Sequence, residues 1–294
     1  MAGRFGSVVT AMATPFAEDG SLDLGRAKDL AVWLTEHGSD ALVIHGSTGE
    51  ASTMDDAEKF DMVRAVKEAV GGKTPVIAGT GTPDTRHTIH LGERAKEAGA
   101  DALLVVTPYY SKPSQRGLLA HFRAVAEGTD LPVLLYNIPS RTVIRIEHAT
   151  LLELAGIDNI VGVKDATGDV DGAARLVAEA PPGFELYSGD DWGAFAWACV
   201  GGVGVISVVS HVAGERLSRM FELIAGGDVP AALKLHQELL PLYSALFVTS
   251  NPTPLKAALA MIGQPVGEPR LPLIPAIDEE IAVIRKAMED AGVL

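Results

Sequence analysis

The sequence predicts an α/β chain folded as a closed (β/α)8 barrel, the TIM-barrel class, with a helical extension at its C-terminal end. Three observations point there. Short apolar runs rich in β-branched residues alternate with segments of helical period along the first two-thirds of the chain. Eight such units follow one another with no Ser-, Gly- or Pro-rich linker and no break in composition, which favours one closed parallel barrel over two doubly wound halves. From Asp228 onward the pattern is helical only. The expected division is a catalytic barrel over residues 1–227 and a helical extension over 228–294.

The first strand is expected over Ser7–Met12, and the helix after it over Leu22–His37, where Leu24, Ala27, Leu30, Ala31 and Leu34 form one stripe. Strand Ala41–His45 precedes helix Met54–Val70, which Thr53 opens with Asp56 three residues on, a capping-box pattern. Strands Pro75–Gly79, Ala102–Val106 and Pro132–Asn137 precede helices Thr85–Ala98, Gln115–Ala126 and Glu147–Ala155. Gly99 and Gly156 stand where helix C-termini commonly stop. Strands Ile160–Lys164, Glu185–Ser188 and Val203–Val208 precede helices Val170–Ala180, Trp192–Val200 and Glu215–Ala225. The extension is read as helices over Val229–Thr249, Pro254–Ile262 and Asp278–Ala291, the first with Val229, Leu233, His236, Leu240 and Tyr243 on one stripe.

A chain of 294 residues that is 47% hydrophobic and 21% charged can bury a large core, and disorder is not expected. A formal charge of -14 argues against nucleic acid or an anionic membrane as partner. The single cysteine, Cys199, excludes an internal disulfide framework and agrees with a reducing cytoplasm. Its apolar surroundings, Phe195 to Val200, predict a packed core thiol rather than a nucleophile. The first residues lack the apolar stretch of a signal peptide, and no run approaches membrane-spanning length.

A barrel of this class carries its active site at the C-terminal ends of the strands. The polar residues there make a coherent set: Thr14, Ser47, Thr48, Glu50, Thr80, Tyr109, Tyr110, Tyr136, Ser140, Arg141, Lys164, Asp190, Asp191 and Ser207. Lys164 ends the apolar run Ile160–Val163, where desolvation lowers an amine's pKa and frees a nucleophile. Such an amine forms an iminium with a ketone, and the iminium lets the adjacent carbon become a nucleophilic enamine. A tyrosine linked to hydroxyls can relay the protons, and an arginine can grip a carboxylate. Gly46-Ser-Thr-Gly49 can hold an anion on backbone N–H groups and hydroxyls, although a glycine turn with a helix cap would read the same. Taken singly, the tyrosines read equally well as packing residues and Arg141 as half of a surface ion pair. No metal is expected, because only His45, Asp190 and Asp191 stand near the mouth, and His87 and His90 are expected to be solvated on a helix. Neither phosphate-loop nor dinucleotide fingerprint is present, so no cofactor is expected.

These residues resemble the 4-hydroxy-tetrahydrodipicolinate (dihydrodipicolinate) synthases, a family of class I pyruvate-dependent lyases that also includes N-acetylneuraminate lyase. The likeness spans nearly the whole chain. It rests on Thr14-Pro-Phe16, Gly46-Ser-Thr-Gly-Glu50, Val106-Thr-Pro-Tyr-Tyr110, Tyr136-Asn-Ile-Pro-Ser-Arg-Thr142, Gly162-Val-Lys-Asp-Ala-Thr-Gly168, Ser188-Gly-Asp-Asp191 and Gly204-Val-Ile-Ser207. The resemblance implies an imine between Lys164 and pyruvate. It implies proton transfer by Tyr136 through Ser47 to Tyr110, with Tyr110 supplied by the neighbouring subunit of a tight dimer. Ser47 and Thr48 would hold the pyruvate carboxylate, Arg141 would hold L-aspartate 4-semialdehyde, and the Ile206 carbonyl would lie beside the imine. A cytoplasmic homotetramer of tight dimers is the expected assembly.

One departure separates this chain from the synthases, which usually carry two threonines where Ser47-Thr48 stands; Gly-Ser-Thr-Gly-Glu is common in sialate lyases. Serine lacks the methyl that restricts χ1. Ser140-Arg141 favours the synthase, since sialate lyases generally lack that arginine. The rivals are a sugar-acid lyase or dehydratase of the same family and a non-catalytic keto-acid-binding protein on the same fold. In lysine-sensitive members an interface pocket grips the ammonium of L-lysine, commonly with a glutamate. Here His87 aligns with that position and Lys59 adds a like charge, so weak inhibition by lysine is expected.

Overall fold

The computed structural model describes residues 3–294. Eight parallel strands close into a barrel in chain order: β1 (Val8–Ala11), β2 (Ala41–Ile44), β3 (Val76–Gly79), β4 (Ala102–Val106), β5 (Val133–Asn137), β6 (Ile160–Asp165), β7 (Glu185–Ser188) and β8 (Gly204–Ser207). β8 returns to pair with β1, with Ile206 opposite Val9. Alternate residues serve two cores. Val9, Val43, Ile77, Leu104, Leu134 and Ile206 fill the barrel, whereas Val8, Leu42, Val76, Leu103 and Val133 face the helices. Burial on both faces is why the strands read as unbroken apolar runs rather than as alternating ones.

The helical layer comprises α1 (Leu24–Glu36), α2 (Asp56–Val70), α3 (Thr85–Glu97), α4 (Gln115–Glu127), α5 (Pro139–Thr142), α6 (His148–Ala155), α7 (Val170–Glu179), α8 (Ala194–Cys199) and α9 (Ser210–Ala225). The cap of α2 corrects the expected one. Asp55, not Thr53, is the N-cap, and it exchanges hydrogen bonds with Glu58 at 2.9 and 3.0 Å. Ala51–Thr53 is instead a short 3-10 turn. α9 starts five residues earlier than expected and kinks at Ala213, whose φ is -141°. Gly99 takes the left-handed conformation (φ +100°) just past α3. Cys199 is exposed, not packed. α8 is only six residues long and turns Ala194 and Trp197 inward, which leaves Cys199 outside.

The extension is α10 (Val229–Ala245), α11 (Thr253–Met261) and α12 (Asp278–Asp290). α10 packs on α9 and α12, and α12 packs on α11. The inward stripe of α10 is Ala232, His236, Leu239, Leu242 and Tyr243. His236 and Tyr243 were expected there, but Val229, Leu233 and Leu240 lie on the outer side. No helix among the described residues is long and apolar enough to cross a membrane.

Candidate active site

The barrel register aims the central pair. Lys164 is the Cα partner of Tyr136 across β5 and β6. Val163 belongs to the outer core, so its neighbour Lys164 turns into the barrel, where Tyr136 also points. Lys164 Nζ stands 4.3 Å from the centroid of the Tyr136 ring. Lys164 and Tyr136 line a cavity of about 600 Å³ together with Ser47, Thr48, Arg141 and Asn251.

Burial is the largest influence on both groups. It holds the Lys164 amine down at about 8; the Arg141 charge adds to the effect, while Asp191 and Asp190 oppose it. At that value about one amine in ten is unprotonated at neutral pH, against well under one in a thousand for an ordinary lysine. Burial pushes the Tyr136 phenol up to about 12, with Arg141 and a hydrogen bond from Ser47 working the other way. The phenol is therefore a proton donor at neutral pH, with Ser47 as its hydroxyl neighbour. Asp191 is fully buried; it accepts hydrogen bonds from Ser207 Oγ and the Val208 and Val209 N–H groups, and burial raises it to about 6.

The turn after β2 carries Ser47 and Thr48 between two residues in the left-handed region, His45 (φ +57°) and Glu50 (φ +54°). Gly79 permits the close passage of this turn, since a Cβ there would stand 2.4 Å from the His45 carbonyl oxygen. Thr14 Oγ1 donates to the Gly49 carbonyl at 2.6 Å. Among the described residues the Ser47 and Thr48 N–H groups donate to no backbone acceptor, as an anion cradle requires. His45 is buried and neutral, its ring driven down to about 3 by burial and then by Lys59.

After β5, Asn137 staples the loop that bears Arg141. Its Nδ2 donates to the Ile146 carbonyl at 3.1 Å, and its Oδ1 accepts from the Ile146 N–H at 2.9 Å. Arg141 is exposed at the mouth and forms no ion pair with any described residue. Its guanidinium is thus free for a ligand carboxylate.

A family model described as the dihydrodipicolinate synthetase family matches residues 4–291. The chain belongs to that family. It is 50% identical over 291 residues to the 4-hydroxy-tetrahydrodipicolinate synthase of Moorella thermoacetica, covering 99% of this chain and all of that one. It is also 50% identical to the synthase of Acidothermus cellulolyticus, over 98% of this chain and 93% of the relative. Among solved structures, the dihydrodipicolinate synthase of Bacillus anthracis superposes with a TM-score of 0.96 at 41% identity and 98% coverage of both chains. The Cyanidioschyzon merolae enzyme, solved with lysine bound, does so with a TM-score of 0.97 at 43% identity, over 99% of this chain and 100% of that one.

Of the family's expected site residues, Lys164, Tyr136, Ser47, Thr48 and Arg141 converge on one cavity in this chain. Ile206 lies deeper, in the inner core of the barrel. Tyr110 stands apart from them, 92% exposed and in the left-handed region at φ +67°. Tyr109 instead faces a second cavity of about 300 Å³ on the other side of Tyr136. His87 is not simply solvated: its Nε2 lies 2.9 Å from Asp56 Oδ2.

Sequence reasoning missed the contribution of the extension. Lys256 Nζ lies 2.8 Å from Glu50 Oε1 in a fully buried pair, and the Arg270 N–H donates to Glu50 Oε2 at 2.8 Å. These bonds hold Glu50, and with it the turn bearing Ser47 and Thr48. Asn251 Nδ2 donates to Thr48 Oγ1 at 2.9 Å. No local spacing signals contacts across some two hundred residues; Asn251 stands in a polar turn between α10 and α11, and only Lys256, among the apolar residues of α11, hinted at polar work there.

Proposed function

We propose that this chain is the lyase that condenses pyruvate with L-aspartate 4-semialdehyde to form 4-hydroxy-tetrahydrodipicolinate in lysine and diaminopimelate biosynthesis, with no metal or organic cofactor. The carrying observation is the buried Lys164 amine over the Tyr136 ring, held at about 8 beside Ser47, Thr48 and Arg141. Full-length identity with the synthases supports the same reading.

The unprotonated Lys164 amine attacks the keto carbon of pyruvate, and water leaves as the iminium forms. Loss of a methyl proton gives the enamine, whose carbon attacks the aldehyde. Tyr136, with Ser47 beside it, carries the protons that leave the keto adduct and reach the new alkoxide. The amino group of the second substrate then attacks the imine carbon and expels Lys164, closing the ring. Ser47 and Thr48 hold the pyruvate carboxylate, Arg141 holds that of the aldehyde, and the Ile206 carbonyl faces the imine.

In this reading Tyr110 completes the relay from a neighbouring subunit of a tight dimer, and two dimers pair into a tetramer. Its exposure and left-handed backbone suit a side chain offered to a partner rather than to its own site. The barrel over 1–227 carries the chemistry, and the extension over 228–294 braces it. The single cysteine agrees with a cytoplasmic setting.

Borohydride reduction in the presence of pyruvate tests the reading. The expected product is one stable adduct on Lys164, located by peptide mass mapping; an adduct on another lysine, or none, contradicts it. Comparing aspartate semialdehyde with N-acetylneuraminate as substrate separates the synthase from a sugar-acid lyase, and turnover itself excludes a mere keto-acid binder.

A further inference from the structure

We infer that Asn251, on the C-terminal extension, is a positioning residue of the keto-acid carboxylate site: its amide N–H occupies a lone pair of Thr48 Oγ1 and thereby commits the Thr48 proton to the carboxylate. The inference rests on the pyruvate-imine reading above.

A threonine hydroxyl has one proton and two lone pairs, whereas an amide nitrogen can only donate. Asn251 Nδ2 donates to Thr48 Oγ1 at 2.9 Å. Both side chains are about nineteen-twentieths buried, and both residues line the cavity that holds Lys164. Among the described residues Thr48 Oγ1 has no acceptor for its own proton. That proton is therefore free to point into the cavity, beside the free N–H groups of Ser47 and Thr48. Three donors of one short turn are then open to a single ligand carboxylate.

Asn251 Oδ1 is buried with no partner among the described residues. Leaving a buried amide oxygen without a partner has a cost, which the donor role of the same amide offsets once a carboxylate is bound. The opposite amide orientation would satisfy Oδ1 by taking the Thr48 proton, and it would turn a hydroxyl lone pair toward the incoming anion. Substrate binding therefore favours the orientation in which Asn251 donates. The placement is not accidental to the loop, because the same extension also grips Glu50 at the far end of the turn.

The isosteric variant Asn251→Asp separates these roles, since an ionised carboxylate can only accept. Borohydride trapping is measured against pyruvate concentration in the wild type, Asn251→Asp and Asn251→Ala, with and without Thr48→Val. The pyruvate concentration for half-maximal trapping should rise about tenfold or more in Asn251→Asp and about threefold or more in Asn251→Ala. The rate at saturating pyruvate should stay within about threefold, because the reacting groups are untouched. In the Thr48→Val background the neutral Asn251→Ala should add nothing. Unchanged half-saturation in Asn251→Asp, or the same Asn251→Ala shift in both backgrounds, overturns the proposal. If Asn251→Asp lacks the native circular dichroism, Asn251→Ala decides by the same criterion. A wild type that is not trapped on Lys164 overturns the imine reading itself, and this inference with it.

Discussion

Lys164 and Tyr136 are partners across adjacent strands, and the lysine Nζ stands 4.3 Å from the centroid of the tyrosine ring. A cation over an aromatic face is favoured, yet burial outweighs that attraction and leaves the amine at about 8. The barrel therefore carries the nucleophile at a cost in stability.

That cost can be measured. An amine at about 8 in the folded state and near 10.5 in the unfolded state makes the unfolded chain bind more protons between those values. Stability from this group therefore rises with pH from about 8 to 10.5, and at neutral pH the group costs about 3 kcal/mol. Lys164→Met should lose activity, yet unfold at higher denaturant concentration at pH 7, with the gain shrinking toward pH 10. Imine formation at subsaturating pyruvate should rise with pH through about 8. A Lys164→Met protein no more stable than wild type at pH 7 would contradict the desolvation account.

Arg141 makes no ion pair among the described residues. Arg141→Ala should leave pyruvate trapping nearly intact and lower kcat/KM for the aldehyde on the order of 100-fold, as expected for a lost bidentate charge-assisted contact. Unchanged aldehyde kinetics would remove the best reason for preferring the semialdehyde over a sugar acid.

The Lys256–Glu50 pair is buried at both ends, with side chains 3% and 1% exposed. Removing one member strands the other, at a typical cost of about 3–5 kcal/mol. Lys256→Met should lower the unfolding midpoint and weaken pyruvate binding together, because Glu50 anchors the turn. Lys256→Met with Glu50→Gln should recover most of the stability. A Lys256→Met midpoint equal to wild type would show that the pair contributes nothing.

Tyr110 should matter only in the assembled enzyme. Specific activity should fall in step with the loss of dimer as the protein is diluted, read by sedimentation alongside rate. A fully active monomer would rule out a relay that crosses between subunits.

L-Lysine should inhibit weakly. The acidic side chains near the second cavity already have partners: Asp56 faces His87 at 2.9 Å and Lys59 at 3.5 Å, Asp55 caps α2, and Asp84 caps α3. An ammonium group entering there meets Lys59 in the cavity wall. Millimolar lysine should change the initial rate at subsaturating pyruvate by less than about twofold. Clear inhibition at submillimolar lysine would show that one of those aspartates exchanges its partner for the ligand.

Strand order, most of the helices and the grouping of Lys164, Tyr136, Ser47, Thr48 and Arg141 at one mouth were legible in the chain itself, whereas α5 and the early start of α9 were not. A doubly buried strand must be a short apolar run, and every second residue at its C-terminal end faces the barrel mouth, as Tyr136 and Lys164 do while Asn137 and Asp165 turn toward the helices. Cap and surface details were not legible. Thr53 and Asp55 are both cap-forming residues two positions apart, and the two sides of α10 are both apolar enough to face inward, so packing on α9 and α12 chose between the sides. The same holds for Cys199, which a six-residue helix turned outward. Nor does local sequence disclose that Asn251, Lys256 and Arg270 reach back to Thr48 and Glu50. Periodicity reports only which face of an element is apolar. The pairing of polar groups about two hundred residues apart is decided when the extension docks, because only then do buried donors and acceptors need one another.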